Sequence, residues 1–267
     1  MFWVKIMKYL NNEEKLKNIN LNKNNMCIVM DFDGTITKYT HVDSWDVAGE
    51  GLGDNFKKKL TELFEKYRPI EIDYEISYSE KFKAMEEWYK LCIDLYYEYG
   101  LTERKLTETL FNCNLQFREG AKEFFEAMYK NNIPVIIISA GIGNVIEGFL
   151  KENNCYFDNM KIISNFITFD DNGHMNKFNG DIITSMNKSL KGNKIENIKN
   201  RKYKVLFGDL IEDKNMVEKD EWNNTICIGF LDKKIENLPY YKKTFDIVLT
   251  KEDGNFYEVI NILERKK

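Results

Sequence analysis

Met26-Cys-Ile-Val-Met30 is a short apolar run bounded by polar residues, and Asp31-Phe-Asp-Gly-Thr35 follows it without a break. A run of that length and composition reads as a buried strand. Gly34 then lets the chain turn. The pattern recurs. Val135–Ile138 leads into Ser139-Ala-Gly-Ile-Gly143, and Tyr203-Lys-Val-Leu-Phe207 leads into Gly208-Asp209. Lys161–Phe169 is strand-like, Asp171-Asn-Gly173 is a hairpin signal, and Thr225–Phe230 and Phe245–Leu249 close the series. Helical patterns lie between these runs. Strands alternating with helices imply an α/β fold with a mainly parallel sheet covered on both faces. In such sheets ligands bind at the carboxyl ends of the strands, where Asp31, Asp33, Ser139 and Asp209 fall.

One stretch breaks the alternation. From Asp43 to Phe117 no β-like run occurs. Phe56, Leu60, Leu63, Phe64 and Tyr67 recur at helical spacing, and Pro69 is expected to end that helix. Ser79 opens a second helix with Phe82, Met85, Tyr89, Cys92 and Ile93 on one face, stopped by Gly100. A third spans about Thr102 to Phe111. The chain therefore divides into a core of residues 1–42 and 118–267 and a helical insert of residues 43–117, long enough for a small subdomain. The first ten residues mix apolar side chains with lysines. They are expected to form an amphipathic helix packed on the body rather than a signal peptide.

Composition removes several classes of function. The 267 residues are 43% hydrophobic and 14% aromatic, enough for a sizeable core. Thirty-nine basic residues stand against 43 acidic ones, for a net charge of -4, which argues against binding a nucleic-acid polymer. No apolar run approaches the ~20 residues of a membrane span. Five scattered cysteines without a Cys-x-x-Cys pair, and only two histidines, argue against a zinc site or a disulfide framework and suit a reducing compartment.

The polar groups at the strand ends carry the chemistry. Two acids flanking one residue at a strand end need a cation or a role that uses their charge. Asp31, Asp33 and Asp209 together suit a hard divalent ion with oxygen ligands, Mg²⁺. The Asp31 carboxylate can attack phosphorus, and Asp33 is placed to protonate a leaving oxygen and then deprotonate water. Ser139 offers a hydroxyl, and the Gly141-Ile-Gly143 turn is expected to expose backbone N–H groups to an anion. Lys188 adds positive charge. Taken singly, each has an ordinary reading as a turn, a helix cap or a solvated side chain. Their ordered combination is what points to a site.

Asp31-Phe-Asp-Gly-Thr35 resembles the first motif, Asp-x-Asp-x-Thr, of the haloacid dehalogenase superfamily, and the other three motifs follow in order. Phe117-Arg-Glu-Gly120, Ile138-Ser-Ala-Gly-Ile-Gly143, Ser164-Asn-Phe166, Phe169-Asp170 and Asn187-Lys188 are similar to the cytosolic 5'-nucleotidase III, or pyrimidine 5'-nucleotidase, family. So are Glu65-Lys-Tyr67, Ile70-Glu-Ile-Asp73, Glu80-Lys81 and Met85-Glu-Glu-Trp88 in the insert. The resemblance implies a Rossmann-like core with a helical cap between the first and second motifs. It implies Mg²⁺-dependent hydrolysis of nucleoside 5'-monophosphates by a cytoplasmic enzyme, taken here as a monomer.

By that resemblance Asp31 is the nucleophile and Asp33 the general acid and base. The metal is held by Asp31, the Asp33 carbonyl and Asp209, with Asp213 nearby. Ser139, Ala140 and Lys188 hold phosphate, and Glu71 contacts the base, where a carboxylate suits an exocyclic amine or the positive charge of N7-methylguanine. Trp88, Tyr89 and Tyr67 offer stacking surface or form ordinary core. Three features depart from the pattern. Cys92 stands where the family has serine, Gly34 where near relatives often have methionine, and the stretch from Tyr39 to Asp54 matches poorly. A small-metabolite phosphatase of the phosphoserine type, a non-catalytic nucleotide-binding protein and a phosphotransferase are the competing readings.

Overall fold

The computed structural model describes residues 8–19, 21–38, 42–178, 180–190, 195, 198–250 and 254–264. Seven strands form one sheet: β1 (Lys8–Leu10), β2 (Met26–Met30), β3 (Val135–Ile142), β4 (Met160–Asn165), β5 (Tyr203–Gly208), β6 (Thr225–Leu231) and β7 (Ile247–Thr250). Their spatial order is β1-β7-β6-β5-β2-β3-β4. All pairs are parallel except β1 with β7. Every residue of β2 and β3 is buried, as a central parallel strand requires. Alternate side chains serve the two faces. Met26, Ile28 and Met30 point into one core, which also holds Phe124, Phe125, Phe149 and Phe256. Cys27 and Val29 point into the other, with Leu206, Tyr241 and Phe245. Helices α6 (Ala121–Lys130), α7 (Gly143–Glu152) and α9 (Phe256–Glu264) supply the first face, and α8 (Leu238–Thr244) the second.

Strand order reverses at β2, which lies between β5 and β3. That reversal leaves a crevice at the carboxyl ends of β2, β3 and β5. The sequence expectation of an α/β core with a parallel sheet is thus met. Two local expectations are not. Residues 8–10 are a strand rather than a helix, because their backbone completes the open edge of β7; residues 1–7 lie outside the described residues. The first long helix also runs through Pro69 to Glu71. Pro69 falls in the last turn, so the lost N–H removes only one late intrahelical bond.

A short α1 (Glu13–Asn18) precedes β2, and between β2 and β3 come α2 (Ser44–Gly49), α3 (Asp54–Glu71), α4 (Tyr78–Glu98) and α5 (Glu103–Phe111), ahead of α6. Their starts are capped as side-chain chemistry dictates. Asp43 accepts from the Trp45 and Asp46 N–H groups, Ser77 from Glu80 and Thr102 from Lys105. Gly100, with φ +66°, ends α4. The helices split their apolar surface. Val47, Ala48, Phe56, Ile93, Tyr96 and Leu106 join the main core, whereas Tyr67 and Met85 form a small separate cluster with Met186. Polar contacts hold the outer end down. Tyr78 donates to the Met186 carbonyl at 2.9 Å, and Lys81 pairs with Glu212 at 2.7 Å with both side chains buried.

Arg118 locks the loop after β2 from behind. Its guanidinium is 2% exposed and forms a two-pronged pair with Asp232. It also donates to the carbonyls of Thr35 at 2.9 Å, Gly254 at 2.8 Å and Gly34. Replacing it would strand a buried carboxylate and three buried carbonyls. Arg118→Met is expected to cost about 3–5 kcal/mol, read as a shift in the urea midpoint. A midpoint unchanged from the parent would contradict this anchoring role.

Candidate active site

The backbone of Asp31 is fixed first. Its N–H donates to the Phe207 carbonyl at 3.1 Å, which ties the end of β2 to the end of β5. Lys188 then draws two distant segments together. Its ammonium lies 2.6 Å from Asp31 Oδ1 and 2.9 Å from Asp213 Oδ1. The other Asp213 oxygen accepts from the Asp209 and Leu210 N–H groups at 3.0 and 2.9 Å, which shapes the turn after β5. The loop carrying Lys188 is itself pinned by side chains. Asn165 bonds the carbonyls of Ala140 and Ile183 and the Ile183 N–H, and Asn187 accepts from Thr184.

One cavity of about 320 Å³ gathers nearly every residue singled out from the sequence. Asp31, Asp33, Ser139, Ala140, Lys188 and Asp209 line its sheet side. Glu71, Trp88, Tyr89 and Cys92 line its helix side, where Tyr67 stacks on Trp88 at 5.9 Å. Asp213 sits behind Lys188, fully buried and outside the lining. Phosphate-sized and ring-sized groups could thus share one space.

Burial sets the electrostatics. It pushes the Asp31 carboxyl up to about 6 even though the Lys188 charge opposes it. Asp209 is pushed well above the usual carboxylate range by burial and then by the charges of Asp31 and Asp213. Asp33 is raised by burial and by Asp43. Burial alone would lower Lys188, but Asp213 and Asp31 overcome it and hold the ammonium charged. Oxygen atoms of Asp31, Asp209 and Asp213 lie within 4.8 Å of one another, so this cluster could coordinate a divalent metal. Among the described residues nothing donates to the Asp209 carboxylate, which leaves it available as a ligand. An all-oxygen set suits a hard cation. Gly34, with φ +78°, makes room, since a Cβ there would stand 2.7 Å from Asp209 Oδ2.

The model of the pyrimidine 5'-nucleotidase (UMPH-1) family matches residues 13–266. The chain belongs to this family. A 7-methylguanosine phosphate-specific 5'-nucleotidase A of Xenopus laevis is 33% identical over 243 residues, 85% of this chain and 82% of the relative. The Drosophila melanogaster 7-methylguanosine phosphate-specific 5'-nucleotidase is 32% identical, over 84% of this chain and 75% of its own. A crystal structure of cytosolic 5'-nucleotidase IIIB bound to cytidine superposes with a TM-score of 0.84 at 28% identity, covering 97% of this chain and 94% of that one. A substrate-bound phosphoserine phosphatase, at 17% identity and TM-score 0.61 over 90% and 99% of the two chains, shares the fold. The chain is an enzyme of the haloacid dehalogenase superfamily, with 5'-nucleotidase or phosphatase activity through an aspartate intermediate.

Two features of the nucleotidase site differ from the sequence expectation. Ser139-Ala-Gly141 is not a turn. It belongs to β3, where the register with β4 slips between Ile138 and Ile142. The N–H groups expected to await an anion there are in part already used. Gly141 donates to Ser139 Oγ at 3.0 Å, and Ile142 donates to Ser44 Oγ at 3.2 Å. The second feature is Ser44 itself, which sequence reasoning missed. Its hydroxyl donates to Asp33 Oδ2 at 2.6 Å and its N–H to Asp33 Oδ1 at 3.0 Å. A Cβ at Gly141 would fall 2.1 Å from Ser44 Oγ and 2.7 Å from Asp33 Oδ2, so glycine is needed for this approach. The only hint in sequence is Asp43-Ser-Trp-Asp46, a capping-box pattern with aspartates. Arg68, Asp43 and Ser185 also line the cavity unannounced, and the buried Ser185 hydroxyl has no partner among the described residues.

Removing the Ser44 hydroxyl would orphan the Ile142 N–H and release one Asp33 oxygen. Ser44→Ala is expected to lower kcat by about tenfold or more through misplacement of Asp33, with KM changed far less. A variant with unchanged kcat would show that Asp33 needs no such support.

Proposed function

We propose that the chain is a Mg²⁺-dependent 5'-nucleotidase. It hydrolyses a nucleoside 5'-monophosphate, with a pyrimidine or an N7-methylguanine base, to nucleoside and phosphate. The observation that carries this reading is the shared cavity: acids and Lys188 on the sheet side, an aromatic wall with one carboxylate on the helix side. A small-metabolite ester would leave that aromatic wall without a partner. Residues 43–117 then serve as a cap over a core of residues 1–42 and 118–267, and they exclude bulk water from the reacting atoms. Five unpaired cysteines suit a reducing compartment such as the cytoplasm.

The proposed chemistry runs in two steps. The Asp31 carboxylate attacks phosphorus, and the bond from phosphorus to the nucleoside 5'-oxygen breaks. Asp33, whose raised pKa keeps a proton available, delivers it to that oxygen. Asp33 then takes a proton from water, which attacks the aspartyl-phosphate and regenerates Asp31. Lys188 and Ser139 bind the phosphoryl oxygens throughout. Asp31, Asp209 and the Asp33 carbonyl, with Asp213 nearby, are the residues that would hold Mg²⁺. The bound ion would supply charge neutralisation at the phosphoryl oxygens.

Two measurements test the reading. Asp31→Asn is expected to abolish phosphate release while leaving the thermal midpoint near that of the parent, and chelation of divalent ions is expected to do the same reversibly. Appreciable turnover by Asp31→Asn, with deamidation excluded by mass spectrometry, would refute the nucleophile assignment. Phosphate release across CMP, UMP, GMP, AMP, N7-methyl-GMP and phosphoserine is expected to favour a nucleotide. A clear preference for phosphoserine would move the chain to the metabolite class.

A further inference from the structure

The helix side of the cavity carries one charged pair that the proposed chemistry does not use. Glu71, in the last turn of α3, is 3% exposed and lines the cavity. A lone carboxylate so buried is unfavourable, and it would favour any ligand that brings a positive charge. It is not alone. Arg68, one helical turn earlier and also lining the cavity, donates from Nη1 to Glu71 Oε2. The i,i+3 spacing makes the pair a local property of the helix, independent of cap position. The second oxygen, Oε1, receives no hydrogen bond from any described residue. Trp88, Tyr89 and Cys92 line the same cavity. Burial raises the Cys92 thiol to about 12, so it stays neutral. Tyr89 is likewise held neutral, by burial and by the Glu71 charge.

We infer that Arg68 sets the charge of the base pocket. By neutralising Glu71 it leaves that carboxylate a single acceptor oxygen and no net charge on the pair, so Glu71 reads a neutral donor edge and does not itself select a cationic base. An exocyclic amine, as on cytosine, meets Oε1 and stacks against the aromatic wall. A positively charged N7-methylguanine gains little from a carboxylate whose charge is already met by Arg68. Arg68 acts here through Glu71, as a residue that determines specificity. The inference rests on the nucleotidase reading above and narrows its substrate class.

GMP and N7-methyl-GMP test it, because they differ by one methyl group and one charge. The ratio of kcat/KM for N7-methyl-GMP to that for GMP is measured in the parent, R68K, R68Q and E71Q, at a pH where the methylated base is cationic. Freeing Glu71 in R68Q is expected to raise the ratio about tenfold, equivalent to about 1.4 kcal/mol. R68K keeps the charge and is expected to hold the ratio within about twofold of the parent, a rescue that a purely structural role would not give. E71Q removes the carboxylate charge that offsets the guanidinium and is expected to lower the ratio. The steric burden of the methyl group is the same in all four proteins. Nucleotide hydrolysis with a ratio unmoved by R68Q overturns the inference and leaves the nucleotidase reading standing. A parent that turns over p-nitrophenyl phosphate but no nucleotide overturns both.

Discussion

The site depends on one ammonium group. Asp31, Asp209 and Asp213 place carboxylates within 4.8 Å of one another where little water reaches. Two like charges at such a distance repel by about 4 kcal/mol even at the effective dielectric of a protein surface. Lys188, in contact with Asp31 and Asp213 together, offsets that repulsion from inside the cluster. Its reach also fixes geometry. Asp213 is both the lysine's partner and the acceptor that shapes the turn bearing Asp209. Three segments remote in the chain are thereby held in one register by a single side chain.

The helices over the site are attached in two different ways. Near the sheet, α2, α5 and the end of α4 share the main hydrophobic core, and separating them would expose large apolar side chains such as Phe56 and Tyr96. At the outer end the attachment is polar: Tyr78 to the Met186 carbonyl, Lys81 to Glu212, and the small cluster around Met85. Water can replace polar partners but not buried apolar ones. The outer attachment is therefore the one that costs less to break. The two outer contacts land on Met186 and Glu212, neighbours in the chain of Lys188 and Asp213, so the outer helices are tied to the same segments that carry the charged cluster.

Much of this was legible in the sequence because it repeats a simple period. Apolar runs ending on Asp31 and Gly208-Asp209 announce strand ends, and Gly100 and Thr102 mark helix limits, whereas the second long helix begins at its Ser77 cap, two residues before the Ser79 read from the sequence. What escaped has a common cause, which is contact between residues far apart in the chain. Tyr9 and its neighbours form a strand only because β7 offers an edge. Residues 139–142 read as a turn because the register slip that keeps them in β3 depends on β4. Ser44 looks like a cap residue until Asp33 and Ile142 are seen on either side of it. Arg68 was hidden differently. Its partner is three residues away, but only the fold shows that both face the cavity.

The charge of the whole cavity points the same way as its parts. Asp31, Asp33, Asp43, Asp46, Asp209 and Glu71 line it against Lys38, Arg68 and Lys188. Arg68 is committed to Glu71 and Lys188 to Asp31. The acids remaining on the sheet side would repel a phosphate dianion. They have two ways out: some keep their protons, as burial favours for Asp33, or a divalent cation enters with the phosphate. Both are useful to phosphate ester hydrolysis, the first as a proton source and the second as a counter-charge. An excess of buried acid is therefore no defect in a site for an anionic substrate. A divalent cation held by Asp31, Asp209 and Asp213 would offset that excess and turn the cluster into a counter-charge for the anion.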